Sequence, residues 1–194
     1  MAELIALHAD IDTRVHSIRQ DRADWPCAKG CDHCCRQLAD VPQLTETEWN
    51  LLREGLAALS ADRLAAIRDA IATLSAGHSR PVICPLLDRS SGACPVYLQR
   101  PVACRTYGFY VQRNLGLYCG EIESRVAEGK LADVIWGNQD AVDRELAGLG
   151  EKRSLVEWFA RAHERTLPPL QGEGRESDVC DWMGWGGDGA QAVA

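Results

Sequence analysis

Four thiols fall within nine residues, Cys27-Ala-Lys-Gly-Cys31-Asp-His-Cys34-Cys35, and a second, looser group supplies Cys84, Cys94, Cys104 and Cys119. Gaps of three and two residues between Cys27, Cys31 and Cys34 let a tight loop turn three sulfurs toward one point. Holding a metal ion or a cubane cluster requires that convergence, and Gly30 supplies the backbone freedom for the loop. The alternative is a scatter of packed thiols, since free cysteine is a common core residue. Four in nine residues is more than packing asks for.

Cys35 differs from its neighbours. Adjacent side chains point in different directions in a helix or a strand, so Cys34 and Cys35 are not expected to ligate one ion in the same way. Two roles stay open for Cys35, a ligand to a second metal or a packed thiol. A reversible disulfide with the second group is the redox version. That second group has no close Cys-x-x-Cys knuckle of the kind used in structural zinc sites, which leans toward iron–sulfur. Cys84-Pro85 and Cys94-Pro95 fit the same reading, because proline stiffens the chain after a ligand. Arg100 and Arg105 flank Cys104 and Arg36 follows Cys35, where they can donate to sulfur or offset thiolate charge. Tyr97 and Tyr107 are read as covering the site. His33 is read as lying beside it, and His8, His16, His78 and His163 show no ligand spacing.

The order Cys27…Cys31..Cys34-Cys35, then Cys84-Pro85-Leu86-Leu87, then Cys94-Pro95-Val96-Tyr97-Leu98-Gln99-Arg100-Pro101-Val102-Ala103-Cys104-Arg105-Thr106-Tyr107, resembles the zinc- or iron-chelating cysteine-cluster family, the bacterial CxxCxxCC proteins. The resemblance covers about Cys27 to Tyr107, with three residues rather than two between the first pair of cysteines. It implies metal or cluster binding by Cys27, Cys31, Cys34, Cys35, Cys84, Cys94 and Cys104. Cys119 joins them by the count of thiols alone.

The elements that must position these residues are mainly helical. Leu4, Leu7, Ile11, Val15 and Ile18 form one apolar stripe and predict a helix over Ala2 to Gln20. Pro26 ends helical structure before the first cysteine loop. Thr45 and Glu48 have capping-box spacing, and a second cap at Ser60 opens a helix with its stop at Gly77. These two helices are expected to form an antiparallel pair that returns the chain to the cysteine end, so that one metal takes ligands from both groups. Arg80 to Tyr118 is broken repeatedly by Pro and Gly, with short strands only at Val82-Ile83 and Phe109-Tyr110-Val111. Irregular chain of that length needs an organiser, and a metal centre would serve. Further helices are expected at Gly120 to Glu128, at Asn138 to Leu149, and from a third cap at Ser154. The fold class is therefore mainly α, with helices scaffolding an irregular, metal-organised cysteine-rich core and at most short strands. Residues 1–170 form one domain, and residues 171–194, Gly-rich and acidic with Cys180 isolated among them, form a mobile tail.

Composition bounds the rest. At 194 residues, 46% hydrophobic and 25% charged, the chain can build a core without cross-links. The charged N-terminus lacks a signal peptide's apolar run, and no stretch approaches the roughly twenty apolar residues of a spanning helix, so a cytoplasmic protein without membrane contact is expected. Thiols stay reduced there, and so dense a set points to metal or redox chemistry rather than disulfides. A net charge of −7 argues against nucleic acid. The expected function is to hold an iron–sulfur cluster, 4Fe–4S favoured, with zinc or iron ions as alternatives, for redox, sensing or delivery to an unidentified protein partner. An enzyme is the second reading, because the Cys27, Cys31 and Cys34 spacing matches the three-ligand loop of radical S-adenosylmethionine enzymes and some relatives of the family are named flagellin lysine methylases. Those radical enzymes use a barrel of strand–helix units, of which this sequence shows none. A zinc-stabilised interaction domain is the third.

Overall fold

The computed structural model describes residues 1–20, 22–77 and 80–166, with the side chains of 163–166 left aside. The expected tail and Cys180 lie outside the described residues. Eight α-helices and five short strands are found among the described residues, which makes the fold mainly α. In chain order they are α1 (Ala2–Gln20), α2 (His33–Arg36), β1 (Gln43–Thr45), α3 (Glu46–Ala57), α4 (Ala61–Ala76), α5 (Val102–Thr106), β2 (Tyr110–Gln112), β3 (Leu115–Leu117), α6 (Gly120–Ala127), β4 (Gly137–Asn138), α7 (Gln139–Leu146), β5 (Lys152–Ser154) and α8 (Leu155–Thr166).

Two apolar cores share the chain. The stripe of α1 buries Leu4, Leu7, Ile11 and Ile18 with Trp25, Val102, Phe109, Ile122 and Val142, and α1 lies against α5 and α7. The second core gathers Leu52 and Leu56 of α3, Leu64, Ile67 and Ile71 of α4, Val82 and Val96, and Leu155, Trp158 and Phe159 of α8. The expected α3–α4 pair is loose at the backbone level. Instead α4 approaches α8, while α3 approaches a 3₁₀ turn at Tyr97–Gln99.

Strand pairing sets where these helices start. β1 and β5 pair antiparallel with Leu44 opposite Arg153, so α3 and α8 begin side by side. Each begins with a capping box. Thr45 accepts from the Glu48 amide at 3.3 Å and Ser154 from the Glu157 amide at 3.2 Å, while both glutamates reach back to the amide of their cap residue. The Trp158 indole N–H closes the join on the Leu44 carbonyl at 2.9 Å, and its ring stacks with Trp49. In the other sheet β2 is central, antiparallel to β3 and parallel to β4. Arg113 and Asn114 both take positive φ in the turn between β2 and β3, as a two-residue hairpin of the right twist requires. Val82-Ile83, expected as a strand, makes only an isolated bridge from Val82 to Leu38.

Glu48 does more than cap its own helix. It is 4% exposed, one carboxylate oxygen serves Thr45, and the other accepts the Val102 amide at 2.8 Å, at the start of α5. One buried carboxylate thus joins α3 to the short helix that carries Cys104. Glu48→Ala leaves two buried amides without an acceptor and should cost about 2–4 kcal/mol. Glu48→Gln, which keeps one acceptor oxygen, should cost less. The shift of the urea midpoint at unchanged slope measures both.

Candidate metal centre

The first cysteine loop is closed by its own backbone. Gly30 takes a φ of +97° and the Cys31 amide donates to the Ala28 carbonyl at 3.0 Å, which turns the chain between Cys27 and Cys31. The single helical turn α2 then carries Cys34 and Cys35. Beyond it the chain is fastened to the second group: Leu38 and Val82 exchange both amide–carbonyl bonds at 3.0 and 2.8 Å, and the Cys84 amide donates to the Cys35 carbonyl at 2.7 Å. A bridge between Asp88 and Ala93 folds the next loop back toward Cys94. Cys104 rides on α5, and Cys119 stands at the cap position of α6 with its side chain making no capping bond. The two sequence groups therefore meet, as the sequence predicted.

The thiols sort into two sets that do not follow the two sequence groups. Burial pushes the Cys27 thiol up to about 12, and Cys119, Cys31 and Cys34 push it the same way. Cys104 also rises to about 12, through burial first and then through Cys35 and Cys34. Cys34 is raised chiefly by a hydrogen bond with the Cys35 thiol, then by burial, against the opposing pull of the Cys35 and Cys34 amides. For Cys35 the largest influence is that same bond, which lowers it. A second bond to Cys84, together with burial and the charges of Cys84 and Cys94, outweighs it and leaves Cys35 raised to about 12. Cys27, Cys31, Cys34 and Cys119 form one set of neighbours and Cys35, Cys84, Cys94 and Cys104 the other, with Cys34 and Cys104 interacting across the two. Cys27 and Cys119 pack against the first core, Cys84 and Cys94 against the second. The seam is the Cys34–Cys35 contact, where adjacent thiols touch although adjacent side chains were expected to diverge.

The Cys27, Cys34, Cys35, Cys94 and Cys104 thiols, all raised, favour the protonated form. No three His, Cys, Asp or Glu side chains among the described residues already converge on one ion-sized point. Metal entry has to replace the thiol protons and close the sulfurs in, which couples binding to proton release. The chemistry of the donor set fits a thiophilic metal, and one feature of the backbone keeps room for it. A Cβ built on Gly108 would lie 2.4 Å from Cys27 Sγ, and Gly108 has a φ of +90°. Only glycine leaves that sulfur its place.

A cavity of about 70 Å³ opens on the Cys27 set, lined by Cys27, Cys31, Cys34, Cys104 and Cys119. Tyr97, Tyr107, Arg100, Arg105 and His33 also line it. Burial raises the Tyr107 hydroxyl above its usual range, helped by the charges of Cys119, Cys34 and Cys27. The arginines divide their work. The Arg105 side chain is 9% exposed, with its donors taken by the Asp12 carboxylate at 3.1 Å, the Leu98 carbonyl and the Arg100 carbonyl at 3.2 Å. Its contacts thus hold the loop rather than a sulfur. Arg100 lies over the Tyr97 ring at 3.5 Å, and its charge favours ionisation of Cys104 and Cys94. Arg36 pairs with Asp32 at 2.6 Å and does not line the cavity.

Sequence reasoning did not single out Arg63, whose charge also favours ionisation of Cys94 and whose guanidinium donates to the Leu86 carbonyl at 3.4 Å. It also passed over Gly108, and over Asp12 and Arg19 of α1. Arg63 lies on α4, about twenty residues before Cys84, and Asp12 and Arg19 lie on α1, a separate element from the cysteine loop, so no motif spacing marks them. The Val96 amide donates to Cys94 sulfur, a bond that favours thiolate.

Residues 26–128, more than half of the 194, match the CxxCxxCC family, described as "Putative zinc- or iron-chelating domain". Neither the curated proteins nor the solved structures yielded a match.

Gly108→Ala should lower metal content at the Cys27 set while Cys35, Cys84, Cys94 and Cys104 keep theirs. Metal analysis of the variant against the parent chain tests it, and an unchanged total would refute the cradle. The pH dependence of the chelator-treated, reduced protein has a definite sign. The unfolded chain sheds thiol protons near pH 9 while Cys27, Cys35 and Cys104 keep theirs to about 12. Thiol titration should therefore leave stability unaffected below pH 9 and lower it between 9 and 12. Denaturant unfolding across that range measures the effect.

Proposed function

The chain belongs to the zinc- or iron-chelating CxxCxxCC family, and from that premise we propose that it holds an iron–sulfur cluster, of the 4Fe–4S type, through Cys27, Cys31, Cys34 and Cys119. The observation that carries this reading is the cavity that this set lines together with Cys104. It has room for several atoms, where a lone tetrahedral ion would need none. Cys35, Cys84, Cys94 and Cys104, on the second core, would hold a second centre of iron or zinc. Bound in the cavity, a cluster supplies one-electron chemistry. The chain's own residues exclude water there with Tyr97 and Tyr107, while Arg100 and Arg63 offset thiolate charge in the second set.

The role is redox, sensing or metal delivery to a protein partner in the cytoplasm. No helix among the described residues is long and apolar enough to cross a membrane. The strands among the described residues form a two-stranded ribbon and a three-stranded sheet, and so do not favour the barrel on which radical lysine methylation would rest. Zinc remains the alternative occupant of both sets, since the same thiolates bind either metal.

Protein purified without oxygen should be brown, with broad sulfur-to-iron charge-transfer absorption and iron and acid-labile sulfide in equal amounts. Colourless protein carrying stoichiometric zinc and no sulfide would replace the cluster with a zinc module. Cys31→Ser should bleach the colour, whereas Cys94→Ser should remove the second metal and leave most of the colour in place.

A further inference from the structure

The thiol cavity does not end at the cysteines. On its α1 side lies an open groove of about 550 Å³, and the two spaces share Asp12, Val15, Arg19, Tyr97, Arg100 and Arg105 as walls. In a chain with a net charge of −7, this groove is cationic. Arg105 is neutralised by Asp12, but the Arg19 guanidinium makes no hydrogen bond or ion pair among the described residues. Arg100 spends its Nε on the Tyr97 carbonyl at 3.0 Å and its flat face on the Tyr97 ring, and no carboxylate among the described residues pairs with it. The Lys29 ammonium stands 5.8 Å from the centre of the same ring.

Such charge is ordinarily dispersed or paired, and here one member is also held in place. Arg105 fixes the Arg100 carbonyl, Asp12 fixes Arg105, and stacking on Tyr97 fixes the guanidinium plane. A planar guanidinium of set orientation presents two parallel N–H donors, the complement of a carboxylate. Val15 and the exposed Leu98 add apolar wall beside it, which suits a carbon skeleton rather than a bare inorganic ion. Arg100 and Arg19 line the thiol cavity as well as the groove, so a molecule held between them lies next to the cysteines.

We infer that this groove is a binding site for a small organic carboxylate, gripped by Arg100 and Arg19 next to the thiol cavity. The site stands whichever metal the thiols hold. Occupancy by such a ligand would place it beside the proposed cluster, on the α1 side of the cavity.

Succinate is the probe, with inorganic phosphate as the second arm, both measured by equilibrium dialysis against the full chain as purified, with iron and zinc assayed on the same samples. Succinate should bind at one site per chain. Arg19→Gln, at an exposed position of α1, should weaken it about tenfold by removing a charge-assisted contact. Arg113→Gln, at the distant β2–β3 turn, should leave it unchanged. Equal weakening in both variants would reduce the effect to net charge and overturn the site. No succinate binding at 10 mM would also overturn it, and phosphate binding as tightly as succinate would overturn the carboxylate assignment. Retained succinate binding in protein that carries no metal would sink the cluster reading and leave the groove standing.

Discussion

The site depends on three backbone hydrogen bonds. Leu38 and Val82 exchange two, and Cys84 gives the third to Cys35. They fasten the end of the first cysteine loop to the start of the second group across more than forty intervening residues. Closing so long a loop costs chain entropy that grows only slowly with length, and burial in the second core offsets it. Val82, at the join, is 1% exposed. Because the bonds are on the backbone, they fix Cys35 beside Cys84 before any metal is present. The Asp88–Ala93 bridge and α5 then bring Cys94 and Cys104 to the same side.

Charge sets the second constraint. Thiolates gathered in an acidic chain repel one another, and burial and neighbouring sulfurs raise Cys27, Cys34, Cys35 and Cys104, which favours their protonated forms. The fixed cations are few and specifically placed. Arg100 and Arg63 face the second set, whereas Arg105, the residue directly after Cys104, is spent on Asp12 and on two carbonyls. Its contribution is indirect, since it holds the Arg100 backbone in place.

Much of this was legible in the chain. The stripe of α1, the caps at Thr45, Ser60 and Ser154, and the stop at Gly77 are local chemistry, and each element falls where its residues put it. The mainly helical class follows from the same signals, whereas the two cysteine groups meet through the Leu38–Val82 and Cys84–Cys35 backbone bonds rather than through the close α3–α4 pair from which their meeting was expected. Other features rest on contacts between distant segments and leave no mark in spacing. Cys34 and Cys35 were expected to diverge, yet one tight turn brings their thiols into contact while their wider surroundings differ. Arg36 and Arg105 sit beside cysteines in sequence but face carboxylates in space. The capping role of Glu48 could be read from Thr45, whereas its bond to Val102, fifty-four residues on, could not.

The two cores give the metal a structural consequence as well as a chemical one. Cys27 and Cys119 are packed on the first, Cys84 and Cys94 on the second, and Cys34, Cys35 and Cys104 link the two sets. Metal bound to both sets would tie the cores together through adjacent residues of one short helix. Its binding energy would then hold the two halves in register, because sulfur–metal bonds tolerate little displacement. Losing or oxidising one centre would be felt at the other through the Cys34–Cys35 contact, and at α3 through α5 and Glu48. A chemical change at the thiols thus has a mechanical route to the helices, built from contacts present before the metal is added.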